Sequence, residues 1–85
     1  MTASVQATEL KVALQSQEAL TLRGFNATCG TSASVVVDRW GHMRGVWHFY
    51  NGNFFWTDGA SSQPSFRTNS IEGAVAHTLS VVAAK

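Results

Sequence analysis

The chain has little of what most chemistry needs. Its 85 residues include one cysteine, Cys29, so no internal disulfide framework can form, and a lone thiol fits a reducing compartment. Charged residues make up 13% of the chain, about half of the usual ~25%. The formal net charge is +1. A balance this close to neutral gives no electrostatic case for a polyanionic partner, and it leaves little repulsion to keep molecules apart. No apolar run approaches the ~20 residues of a membrane span, and the opening stretch MTASVQATELK has no basic region ahead of an apolar one. A cytoplasmic protein is expected, with no signal peptide and no membrane partner.

Catalytic patterns are equally scarce. The titratable groups of interest are three histidines and five carboxylates. They show no paired-carboxylate spacing, no nucleophile elbow and no glycine-rich phosphate cradle. Gly24 and Gly30 followed by Thr31-Ser32 match a phosphate loop only superficially. There is one residue too many between the glycines, and threonine stands where lysine is essential. Asn26-Ala27-Thr28 fits the glycosylation pattern, which has meaning only in a secretory pathway. Cys29 has no histidine or basic neighbour in sequence and reads as a small loop thiol. His42 and His48 point to opposite ends of a short strand, with no cysteine or carboxylate at ligand spacing. Asp38 and His42 form a conceivable acid–base pair at a turn, where such pairs are usually solvated. His77 reads as a surface histidine. The sequence therefore assigns no catalytic residue, no cofactor and no metal, and predicts a protein that is not an enzyme.

What is there is aromatic. Arg44 to Asp58, RGVWHFYNGNFFWTD, holds six of the nine aromatic side chains. Asn51-Gly52 in its middle is the strongest short-range hairpin signal, because both residues accept the positive φ of a type I′ turn. A two-residue loop there pairs Tyr50 with Asn53, Phe49 with Phe54, His48 with Phe55 and Trp47 with Trp56. Side chains alternate across a strand. Trp47, Phe49, Phe54 and Trp56 thus form one ladder, assigned to the core. Val46, His48, Tyr50, Phe55 and Thr57 form the other face, assigned to water or a partner.

The remaining elements follow from pattern. Residues 4–23 are rich in helix formers, with Ala3, Ala7, Leu10, Leu14, Gln17 and Leu20 on one stripe. Leu10-Val12-Leu14 also alternates, so a short strand competes there. Gly24 suits the left-handed position after a helix. Phe25 to Ser34 reads as a loop. SVVVD, residues 34–38, reads as a strand of β-branched residues. Asp38-Arg39-Trp40-Gly41 reads as a type I turn with Gly41 as a left-handed bulge and Asp38 near His42. That register places Val35 and Val37 on the ladder face with Met43. Strands follow at 43–50 and 53–58. Gly59 to Thr68 reads as a loop whose Phe66 folds onto the core edge. A last helix spans 70–84, opened by Asn69 with Glu72 at capping-box spacing, buried through Ile71, Ala74, Val75, Thr78, Leu79 and Val82, and closed by the cation of Lys85. The expected fold is α+β: one domain, an antiparallel three-stranded meander with two helices on one face, in the order α-β-β-β-α.

That order resembles the topology of double-stranded-RNA-binding domains across most of the chain. In that family the start of the last helix carries lysines that meet phosphates. The corresponding stretch here is Asn69-Ser70-Ile71-Glu72-Gly73, with no base and one acid, so the resemblance carries an RNA-contacting role to no residue.

Two functions fit these features. The first is a small interaction module that binds a protein partner or itself, as a homodimer, through Val46, His48, Tyr50 and Phe55, with Trp40 at the neighbouring turn. The alternative is a nucleic-acid binder that uses the sheet aromatics with Arg39 and Arg44 as a stacking platform. The near-neutral charge sets the alternative behind the first.

Overall fold

The computed structural model describes residues 5–30 and 33–83. Ala3, Lys85 and Thr31-Ser32, named above, lie outside them. Two helices come first, α1 (Val5–Gln15) and α2 (Glu18–Thr21). Five strands follow: β1 (Phe25–Cys29), β2 (Ser34–Arg39), β3 (His42–Tyr50), β4 (Asn53–Asp58) and β5 (Phe66–Thr68). Helix α3 (Ile71–Thr78) then runs into a π-helical turn, Leu79–Ala83. The class is α+β with an antiparallel meander. The sheet has five strands in the order β1-β2-β3-β4-β5, not three. Both extra strands lie in stretches that read as loops, so the element order no longer matches the RNA-binding topology.

The β3–β4 hairpin forms in the expected register, from Tyr50 opposite Asn53 to Trp47 opposite Trp56. Asn51 and Gly52 have φ of 54° and 85°, the positive pair a type I′ turn needs. The β2–β3 connection differs from expectation. Trp40 and Gly41 have φ of 50° and 84°, and Arg39 pairs with His42. The loop therefore has two residues, not three. A bulge further on restores the pattern: Asp38 faces Met43 but Val37 faces Gly45, leaving Arg44 as the extra residue. Val35 and Val37 stay on the ladder face, each about 1% exposed. Met43 moves to the opposite face, where it is 50% exposed. Asp38 sits across from Met43, so the Asp38–His42 pair does not form.

The first helix is two pieces. Ala7, Leu10 and Leu14 are buried as the stripe predicts, and the competing strand at Leu10-Val12-Leu14 does not form. The helix stops where Ser16 Oγ donates to the Val12 carbonyl at 2.8 Å and Gln17 turns extended at φ −86°, ψ 111°. A serine bonded to the carbonyl four residues back competes with helix continuation. The single helix over 4–23 is corrected accordingly. Helix α3 is capped by Ser70, not Asn69. Ser70 has the extended backbone of an N-cap, and its Oγ accepts from the Gly73 N–H at 3.0 Å.

Helices α1 and α3 pack on each other and on the same side of the sheet. Between them and the sheet lies one core, built from Leu10, Leu14, Val35, Val37, Trp47, Phe54, Trp56, Ala74 and Val82 with their neighbours. Trp47 has 0% exposure. Its indole Nε1–H donates to Thr78 Oγ1 at 2.8 Å, and that hydroxyl donates on to the Ala74 carbonyl at 2.8 Å. The Trp47 indole is thus satisfied by a residue 31 positions further on, whereas the Trp56 indole N–H, also buried, has no partner.

Candidate interaction face

With both long helices on one side, the other side of the sheet is uncovered by the described residues. Strand pairing sets out its rows. Thr28, Val36, Val46 and Thr57 run across β1 to β4. Ser34, His48, Phe55 and Arg67 run across β2 to β5. Asn26, Asp38 and Met43 lie toward one end, and Tyr50 with Asn53 toward the other. Val36, Val46, Phe55 and Thr57 are half-buried by their neighbours, while His48 and Arg67 are exposed. Tyr50 leaves 66% of its surface open. Val36, Val46 and Phe55 form the apolar part of this strip, with His48 beside them on the central strand and Asn26, Ser34, Asp38, Asn53 and Arg67 around them.

Of the five residues the sequence proposes, four share this face: Val46, His48, Tyr50 and Phe55. Trp40 does not. It stands at the β2–β3 turn, 72% exposed, with its ring 4.0 Å from the Arg39 guanidinium carbon and against Gly24. Arg39 in turn lies 5.0 Å from the centre of the Phe25 ring. Phe25 and Arg39 are cross-strand partners on the helix side. Arg39 is therefore held between two rings away from the open face, and it is not available to a stacking platform there. Arg44, at the bulge, lines an open cavity of about 420 Å³ with Met43, Asp58, Gly59, Ala60, Val81 and Val82. The sequence reading assigned to this face only residues of β3 and β4, so Val36 and Arg67 are additions from the flanking strands. Val36 was legible in the alternation of SVVVD, but Arg67 had no signal because β5 is only three residues long.

A second cluster was also missed. His77 is half-buried, stacked on Phe66 at 3.8 Å between ring centres with planes 9° apart. Trp47 and Trp56 meet it edge-on at 5.7 and 5.9 Å. It is not the surface histidine expected. Burial lowers its pKa below the ordinary 6.5, because an imidazolium in this setting loses water without gaining a partner.

Among the described residues, no three of His, Cys, Asp and Glu gather as a metal set would, and Cys29 is an exposed thiol at the end of the edge strand β1. No helix among them is long and apolar enough to cross a membrane. Comparison with family models, with curated proteins and with solved structures finds no match for this chain.

Proposed function

We propose that this protein is a small interaction module, not an enzyme, and that its open sheet face docks a protein surface, in the first instance a second copy of itself. One observation carries the reading: both long helices cover the same side of the sheet, so Val36, Val46, Tyr50 and Phe55 have nothing from the described chain over them. Tyrosine and phenylalanine are enriched in interface cores, and a polar rim around them is the usual arrangement. A standard interface takes about 800 Å² from each partner, roughly 15% of the 5202 Å² total surface. Five strands about 4.8 Å apart supply a face of that order. The low charge fraction makes self-docking cheap in repulsion. A nucleic-acid role is served less well, since Arg39 is stacked on the other side and Asp38 lies on the open face.

Sedimentation across a concentration series tests this. The expected result is association that Tyr50→Lys and Phe55→Lys abolish while their melts stay close to wild type. A protein that remains monomeric at high concentration, or variants that lose global stability instead, would show the face to be ordinary surface or core.

A further inference from the structure

Of the three histidines, one lies on the open sheet face. His42 pairs with Arg39 at the β2–β3 turn, and His77 is stacked among rings on the covered side. His48 belongs to β3, the middle strand of the five. Register sets it among the apolar residues of the face. Val46 and Tyr50 flank it along its own strand, and Phe55 stands directly across on β4. Val36, the partner of Val46, lies diagonally on β2. The His48 side chain is exposed, and no hydrogen bond or ion pair from the described residues holds its ring.

Charge on this face is sparse and balanced. Strand alternation puts one acid, Asp38, and one base, Arg67, on it, and Tyr50 adds a phenol. Arg67 shares the row of His48 but stands two strands away, with Phe55 between them, a separation of about 10 Å. Asp38 lies on β2 four residues beyond Ser34, the partner of His48, which is about 13 Å along the strand. Arg44 and Asp58 line the cavity beside Val81 and Val82. At physiological salt, charges on a surface are screened beyond about 8 Å, so neither Asp38 nor Arg67 sets the charge state of His48. While His48 is neutral, a second copy meets the face without net repulsion.

Given the self-docking proposed for this face, on which this step rests, we propose that His48 makes it depend on pH: copies associate with the ring neutral and part when it is protonated. A closed pair of identical chains is two-fold symmetric and uses the same patch twice. With two sheets stacked face to face, the axis runs in the plane between them, through the middle of the patch. A residue at the middle meets its own copy, and here that residue is His48. Histidine is the side chain that gains charge between about pH 8 and pH 5. Two imidazolium ions set between the Val46, Tyr50 and Phe55 of both chains lose water and repel each other. They gain no carboxylate in return, because a two-fold axis through His48 keeps the Asp38 of either copy equally distant. The separate chains therefore take up protons more readily than the pair. Affinity is complete at the alkaline end and falls as pH drops through the histidine range.

Sedimentation at constant ionic strength, from about pH 8 to about pH 5.5, reads this. The dimer dissociation constant should rise by about tenfold or more toward acid, over the range in which circular dichroism shows the chain folded. His48→Gln keeps a polar side chain that takes up no proton. It should associate as wild type does at the alkaline end and change by less than about twofold across the range. It retains His42 and His77, so any effect of theirs survives in it. His48→Arg, charged throughout, should associate about tenfold or more weakly even at the alkaline end. Association that Phe55→Lys abolishes but acid leaves unchanged overturns the pH switch and keeps the docked face. A pH dependence that persists in His48→Gln also overturns the switch, by assigning the proton elsewhere. A chain that stays monomeric at the alkaline end overturns the docked face and the switch together.

Discussion

Trp47 is where the molecule converges. Its ring meets Trp56 at 5.2 Å, Phe66 at 6.2 Å and Phe54 at 6.4 Å, and its one polar atom is held by Thr78. Replacing Trp47 or Trp56 by alanine should cost about 3–5 kcal/mol in a denaturant melt, the range for deleting a large buried aromatic. Thr78→Val keeps the shape and removes the acceptor, so a cost of about 1–3 kcal/mol is expected from the stranded indole N–H. A wild-type melt for Thr78→Val would mean the indole finds another partner. His77 gives a pH signature. Its folded pKa lies below 6.5, so the unfolded chain takes up the proton more readily. Stability is then complete above 6.5 and declines as pH falls through 6.5 toward the folded value. Denaturant melts at stepped pH should show this decline, and His77→Phe should lessen it. The role of Trp47 was legible from its place in the hairpin. That of His77 was not, because its stacking partner Phe66 lies in a strand with no sequence signature.

At the scale of elements, the hairpin was readable because two features agree. Asn51-Gly52 dictates the turn, and the aromatic alternation dictates the same register from both sides. Gly52→Val should break it: a β-branched residue fits poorly at a φ of 85°. The expected readout is a large loss of stability, and a variant that melts with wild type would remove the turn from its controlling place. Ser70→Ala should cost about 1 kcal/mol for the lost cap, whereas Asn69→Ala should cost much less. This pair separates the observed cap from the one the spacing suggested. Strand β1 escaped the sequence reading for a physical reason. Only Phe25 and Ala27 in FNATC face the core, and Asn26, Thr28 and Cys29 face water. An edge strand with one small inward residue looks like a loop by composition. The β2–β3 turn was misread by a single residue, yet the bulge returned the following strand to the expected face. Burial corrected what turn chemistry left open.

At the scale of the whole molecule, the described residues form a sheet with one covered side, and its strands pair in the order in which they are made. A ribosome can therefore release the whole sheet with α1 already at hand for one side of it while α3, the other helix of that side, is still to come. Until residues 74–78 emerge, Trp47 has an indole N–H without its acceptor, and the aromatic row beside it lies partly open. A nascent chain halted short of Thr78 would present two greasy surfaces at once, which invites adhesion to other chains. Helix α3 thus sets the moment in synthesis at which the aromatic core of this sheet stops being hazardous to its neighbours.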